Sequence, residues 1–595
     1  MAGEGGDSDA LSRNELPNRP GGRAAWPAWA RRFGDLYLSG TTSAFVLHGA
    51  VFDLFALEGG QRHGTLAEFV SEVLFGTFDL VLHYDLARGL RPLGGNSQRQ
   101  REMASRLSQR LGDWTGLSRE PGVVLPAIDR MVQKNAMENP GERLSIAFII
   151  SHAGLVTPRD ERGAGVAAGA TAMVVNWATS PYIKRTNTAF VLIDARLADV
   201  HDRIVSNPHV AAIDIPLPDE AARLGYLQGL ERRNPSVLQH SDYNTQQLAA
   251  GSAGMALTDL DVLVGVARDP AHRLDARRFR DTKKMLIERQ VHGLLEFIEP
   301  RVTLDDLVGH QGAVQRLRED AELIRRGQLD AVPMGYLLCG PVGTGKSHLA
   351  RCLAGSIGIP CVELRNFRSR YVGETEGNLE RVLGVLRSMG PVLVMVDEAD
   401  AMLGQRDQGG DSGVSSRVFG AIARQMGDTA YRGRILWMLM TARPDLLPID
   451  LKRQGRAEVH MPLFYPTELD EVVAMFVVMA RKFGVTLAPE DVPPTPFVGQ
   501  LSGADIEGLV GRARRTALLA GRNVIQRADL EAALANFMPS TQGLEREYQE
   551  IAALIECTDV EFLPPAKVQR MAELGGREQL PQRLEQLARL LGFGG

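Results

Sequence analysis

Cysteine is scarce in this chain: four residues in 595, at Cys339, Cys352, Cys361 and Cys557, with no CxxC pair. That pattern excludes a disulfide framework and a zinc knuckle, and it predicts reduced, mostly buried thiols. No HExxH stretch occurs, so the helical zinc site of many metallopeptidases is missing. No run reaches the roughly 18 apolar residues that a membrane helix needs. The first residues, Met1-Ala2-Gly3-Glu4-Gly5-Gly6-Asp7, have neither the basic nor the apolar region of a signal peptide. A cytoplasmic chain without a membrane segment is the expectation. An excess of one charge is lacking too: the net charge is −5, which leaves no broad electrostatic footprint for nucleic acid. Hydrophobic content of 44% is ordinary, and the length allows several cores.

What the chain does have is Gly340-Pro341-Val342-Gly343-Thr344-Gly345-Lys346-Ser347, a complete phosphate-binding loop. The apolar run Gly335–Cys339 before it reads as a buried strand, and the segment from His348 to Ala354 reads as a helix. In that setting the glycines let backbone N–H groups curl around phosphates. Lys346 then places a charge at the β- and γ-phosphates, and Ser347 ligates Mg²⁺. Downstream, the β-branched run Pro391–Val396 predicts a second buried strand ending in Asp397-Glu398. A carboxylate at that strand end, Asp397, suits the Mg²⁺ shell, and Glu398 suits polarisation of an attacking water. ATP and Mg²⁺ are the cofactors this pattern calls for.

From about Val302 to Pro539 the chain resembles the clade of AAA+ ATPases that holds valosin-containing protein, katanin, spastin and FtsH. Val302–Gly309 is similar to the segment that wraps the adenine, which implies nucleotide contacts at Asp306 and at Val308, where the family usually has glycine. Arg370-Tyr371-Val372-Gly373-Glu374 resembles the loop lining a central pore, with Tyr371 and Val372 facing the channel. Gly409–Gly413 fits a second pore loop or a plain surface loop. The stretch from Thr441 to Gly455-Arg456 resembles the second region of homology, in which Arg453 and Arg456 would reach a neighbouring subunit's site. Ser502-Gly503-Ala504-Asp505 matches the start of the lid helix, which adds Gly503 and Ala504, with His348 after the loop, to the nucleotide contacts. Ala442 stands where the family has an asparagine that positions the lytic water; slow turnover, or partial substitution by Thr441, follows. The missing HExxH and membrane run argue against an FtsH-like membrane protease.

The first half repeats the second without its chemistry. Ile213 sits against Val459 and Asp259 against Asp505, each pair 246 residues apart. The same offset sets Ser151 and His152 against Asp397 and Glu398, and Asn207 and Val210 against the two arginines. The nearest thing to a phosphate loop follows Ala44–Gly49, with Phe55 and Ala56 replacing lysine and serine. His152 has no partner spaced to make it a base or metal ligand, and it reads as structural.

The expected fold is α/β: tandem AAA+ modules, each a parallel-sheet P-loop-type core with a small helical lid. The expected divisions are a disordered tail (1–24), a degenerate module (25–295), an ATPase core (296–470), a lid (471–540) and a C-terminal helical extension (541–595). The extension either caps the lid or docks a partner. The resemblance implies a homo-oligomer, a hexamer, that pulls a protein client through its pore. The competing expectation is an ATP-gated assembly chaperone or switch that acts on a partner complex without threading.

Overall fold

The computed structural model describes residues 26–93, 116–159, 165–268, 273–365, 372–403, 412–538 and 543–593, with the isolated positions 102 and 105. The chain divides into two units, 1–290 with 369–388, and 291–368 with 389–595. Tyr371 and the segment 404–411, which carry most of the two pore-loop readings, lie outside the described residues, as does the tail before residue 26.

In the first unit, strand β1 (Ala44–Gly49) leads into a hairpin, β2 (Phe55–Leu57) and β3 (Arg62–Gly64). Then come β4 (Leu80–Asp85), β5 (Gly89–Pro92), β6 (Ile146–Ser151), β7 (Thr188–Ile193) and β8 (Val210–Ile215). The six-stranded sheet has the order β5-β4-β6-β7-β1-β8 and is parallel except at β5. Such strands are covered on both faces and read as continuous apolar runs. Val46, Leu82, Phe148 and Leu192 pack on one face with Val124, Ile128, Val174 and Trp177 of the helices Pro121–Met137 and Val166–Thr179. Phe45, Val81, Ile149 and Val191 pack on the other with Trp29, Phe33 and Tyr37 of the helix Ala28–Leu38. Four helices follow over residues 220–290.

The second unit contains β9 (Leu295–Phe297), β10 (Gly335–Cys339), β11 (Cys361–Leu364), β12 (Val392–Val396), β13 (Ile435–Thr441) and β14 (Val459–Pro462). Their order is β14-β10-β13-β12-β11-β9, with β9 antiparallel at the edge. Set against the first sheet, β10, β12, β13 and β14 fall where β1, β6, β7 and β8 do. The antiparallel edge comes from after β4 in one unit and from before β10 in the other. A helical subdomain, Leu469–Lys482, Gly503–Leu519 and Arg527–Ala535, has its own core around Phe476, Ile506, Leu509 and Leu530. The helices Gly543–Glu556, Pro565–Glu573 and Leu580–Leu591 close the chain.

Past Gly49, where Phe55 and Ala56 stand in the places of lysine and serine, the chain forms β2, paired with β3. Phe55 is buried against Trp29 and Phe69. An aromatic anchor thus sits where a phosphate loop would need a cation.

Candidate functional site

The loop after β10 is shaped by two close approaches. At Gly340 (φ 137°) a Cβ would lie 2.0 Å from the Leu463 carbonyl oxygen, so no side chain fits there. Gly343 (φ 83°) would place a Cβ 2.9 Å from that of Ser502, and its carbonyl accepts from the Gly503 N–H at 3.2 Å. Glycine is therefore what lets the loop touch the helix Gly503–Leu519. Ser502 and Asp505 cap that helix reciprocally. Gly503 lines the adjoining cleft, and Ala504 is exposed.

Lys346 opens the helix Lys346–Ile357 and turns back into the loop, donating to the carbonyls of Gly340 (2.8 Å) and Pro341 (2.9 Å). Burial pushes its ammonium down to about 8. Ser347 donates to Asp397 at 2.7 Å, which joins the loop to the end of β12. Glu398 is exposed and adopts a left-handed backbone (φ 47°), starting the short helix Ala399–Leu403. A non-glycine residue held there marks a backbone constrained by its surroundings. Thr344 is buried and donates to the Pro341 carbonyl; His348 is exposed, with its ring 3.7 Å from Cys352 Sγ.

At the end of β13, the Thr441 hydroxyl donates to Asp400 at 2.6 Å and accepts from the Arg443 N–H at 2.8 Å. Its single proton is spent, so it has no donor left for a water. In place of the missing asparagine at Ala442, Thr441 thus offers a water no donor and only its remaining acceptor lone pair. Asp306 accepts from the Thr303 N–H and hydroxyl, a turn-capping role that holds its carboxyl below the usual range. Val308 lines the cleft. Arg453 is exposed, 3.5 Å from Asp450; Arg456 is folded onto the Asp450 carbonyl. Val372 begins a helix that belongs to the first unit.

Residues 336–465 match the ATPase family associated with various cellular activities (AAA). Residues 16–216 match the AAA+ chaperone N-terminal Rossmann-like domain, and residues 221–292 the AAA+ chaperone second helical domain. The chain thus joins AAA+ chaperone N-terminal and second helical domains to an AAA ATPase module.

Similar proteins include the ATP-dependent zinc metalloprotease FtsH of Acidimicrobium ferrooxidans, 32% identical over 246 residues, which are 39% of this chain and 37% of that protein. FtsH 3 of Sphaerobacter thermophilus is 29% identical over 290 residues, 47% and 56% of the two chains. Protein SAV of Sulfolobus acidocaldarius is 28% identical over 344 residues, 51% and 43%. The chain spans between 37% and 56% of the length of these relatives. Among the described residues, this AAA+ ATPase has no cluster of His, Cys, Asp or Glu placed to hold a metal ion, and no helix long and apolar enough to cross a membrane.

Several residues around the AAA+ site carry no motif and escape a sequence reading. His310, left-handed (φ 53°) and half-buried, comes within 3.2 Å of the Thr344 carbonyl, and desolvation lowers its pKa. Tyr465 donates to the Val342 carbonyl at 2.8 Å. Glu471, Met475 and Pro564 line the cleft beside Val308 and Gly343. Only Gly309-His310, a turn signal just before a helix, was visible in the sequence.

In the first unit the corresponding positions hold other chemistry. Ser151 Oγ lies 2.8 Å from His83 Nε2, while His83 Nδ1 accepts from Arg91 Nη2 at 2.9 Å. An Nδ1 that accepts leaves the proton on Nε2, which then donates to Ser151 and cannot serve as its base. Burial drives His83 down to about 4. His152 is left-handed (φ 55°), as Glu398 is. Asp53, in the loop after β1, accepts from the N–H groups of Leu257 (2.9 Å) and Thr258 (3.0 Å) at the start of the helix Leu257–Arg268.

Proposed function

We propose that this protein is a hexameric machine that hydrolyses ATP in its second module to remodel a protein client, with residues 25–295 as a module that cannot turn over ATP. The observation that carries the reading is Lys346: a half-buried ammonium met by two loop carbonyls is poised for phosphate oxygens that would satisfy it better. The Ser347–Asp397 pair supplies one hydroxyl and one carboxylate, a hard-oxygen donor set that fits Mg²⁺. A magnesium ion held there would supply neutralisation of phosphate charge. Gly340 to Ser347 would hold the phosphates, with Gly345 and His348 at the helix start. The cleft residues Val308 and Gly503 would flank the nucleoside, with Asp306 and Ala504 at its margins. Glu398, exposed at a fixed backbone, would orient the attacking water. Arg453 and Arg456 would act on the neighbouring subunit's nucleotide, which makes turnover depend on assembly, and Tyr371 and Val372 would grip the client.

The second reading, an ATP-gated assembly chaperone or switch, is favoured by one observation. Ala442 has no polar side chain and the Thr441 hydroxyl is committed, so the water lacks its usual second guide and the ATP state is long-lived. A Glu398→Gln variant tests both. It should bind ATP, lose hydrolysis and retain its client for isolation. Remodelling of that client by Tyr371→Ala at the wild-type rate would eliminate threading and favour the switch; loss of remodelling with ATPase intact would support threading.

A further inference from the structure

The C-terminal fifty residues touch the nucleotide site from behind at several points. The helix Gly543–Glu556 buries Tyr548, Gln549, Ile551 and Ala553. Gln549 Oε1 accepts the Val342 N–H at 3.2 Å, and Gln549 is 6% exposed. The Val342 carbonyl is taken by Tyr465, so both backbone groups of the loop's third residue are tied to neighbours outside the loop. Its side chain is exposed and contributes no anchor. Tyr548 donates to Asp445 at 2.9 Å, just beyond β13. Glu556 pairs with Lys452, which precedes Arg453 and also donates to the Pro444 carbonyl.

We infer that this C-terminal segment is a strap that sets the geometry of the phosphate loop, with Gln549 as its positioning residue. The inference rests on reading Gly340–Ser347 as the nucleotide loop. A loop of three glycines has many accessible conformations, and only the curled one presents its N–H groups together. Fixing Val342 from outside raises the population of that form before ATP arrives, and apparent affinity scales with that population. Through Tyr548 and Glu556 the same helix reaches the turn after β13 and the segment entering the arginine loop.

The test uses the full chain and ATP as the probe. Gln549→Met keeps length and apolar bulk but removes the acceptor. Losing a hydrogen bond of ordinary strength should weaken ATP binding about 3- to 10-fold, raise KM by the same factor and leave kcat within about twofold. Gln549→Glu retains an acceptor oxygen and should restore affinity to within about twofold of wild type at high salt. Wild-type affinity in Gln549→Met, or equal losses in the two variants, would overturn the inference. Should Gln549→Met fail to fold, amide exchange in the wild type decides: Val342 should be protected without nucleotide, and free exchange there would overturn the strap. Lys346→Ala is run in parallel. Unimpaired ATP binding in that variant would count against the nucleotide reading itself, not against the strap.

Discussion

In the second unit β12 runs into Asp397 and Glu398; in the first, β6 ends at Ser151 and is followed by His152, and both Glu398 and His152 take a left-handed backbone (φ 47° and 55°). The strained turn therefore occurs with and without a carboxylate on it. It belongs to the path of the chain from strand to short helix, and the side chain decides whether it can do chemistry. The same holds one step on. Thr441 donates to Asp400 in the second unit, while in the first Asp194 accepts from the Gly154 N–H at 2.8 Å. A strand end and a helix start are tied in both, with donor and acceptor exchanged. At the loops the contrast is sharpest: Gly343 touches the helix Gly503–Leu519 through a backbone carbonyl, whereas Asp53 inserts a carboxyl into the N-terminus of the helix Leu257–Arg268. A helix N-terminus whose N–H groups are already taken by a carboxyl of its own chain has few left for a phosphate. The lesson is that topology outlasts chemistry, because strand order depends on many apolar residues and catalysis on a few polar ones.

The largest break in this comparison should come from Lys346→Ala. Removing one partner of a buried charge interaction costs about 2–5 kcal/mol, roughly 30-fold or more in affinity. Nucleotide binding by calorimetry should vanish for the whole chain, since the first unit offers Phe55 in that place. Retained stoichiometric binding would show that the first unit holds nucleotide after all.

Mixing comes next. Arg456→Ala and Lys346→Ala subunits, each inactive alone, should regain a fraction of wild-type ATPase when combined, because each supplies what the other lacks. No complementation at any ratio would rule out a finger supplied in trans.

A smaller effect should follow pH. Lys346 is depressed to about 8, so above that pH the free protein loses the ammonium that phosphates need. ATP affinity, measured without turnover in Glu398→Gln, should be level below about pH 8 and then fall by up to about tenfold per unit. In the protein alone the sign reverses: the unfolded chain binds more protons between about 8 and 10.5, so this group's contribution to stability rises with pH there. An affinity unchanged to pH 9.5 would contradict a depressed lysine.

The smallest effect lies in the first unit. Asp53→Ala leaves two N–H groups of a helix start without their acceptor, which should cost about 1–3 kcal/mol of stability, with ATPase unchanged. Burial raises the Asp53 pKa, so its contribution is fully present below the unfolded pKa of 3.8 and is lost as pH rises through the folded value. The gap in Tm between wild type and variant should therefore narrow from mild acid to neutral pH. A gap that widens over that range would mean the carboxylate is stabilised rather than strained.

Both sheets were legible in the residue pattern, because buried parallel strands need uninterrupted apolar runs and these stand out at Ala44–Gly49, Ile146–Ile150, Gly335–Cys339 and Val392–Val396. The phosphate loop was legible for a different reason: its glycines, lysine and serine are required at fixed spacing by one ligand. Two features were not. The hairpin at Phe55 left no readable signal, because Phe55 is held by an aromatic core with Trp29 and Phe69, and that core is assembled from distant segments. The C-terminal helices read as an amphipathic appendage of open role, since periodicity reports that a face is buried and not what it is buried against.

Sequence by itself determined which unit holds the lysine, serine and paired carboxylates, since those residues are either present at their spacing or absent. It also showed that one half repeats the other, through apolar runs and an offset of 246 residues over much of their length. Only the tertiary structure decided that Thr441 has no proton to spare, that His83 holds its proton on the wrong nitrogen for a Ser151 base, that Asp53 fills a helix N-terminus, and that Gln549 reaches Val342. Each of those depends on hydrogen-bond partners brought together from different elements, most of them tens or hundreds of residues apart, and such pairings leave no local periodicity to read.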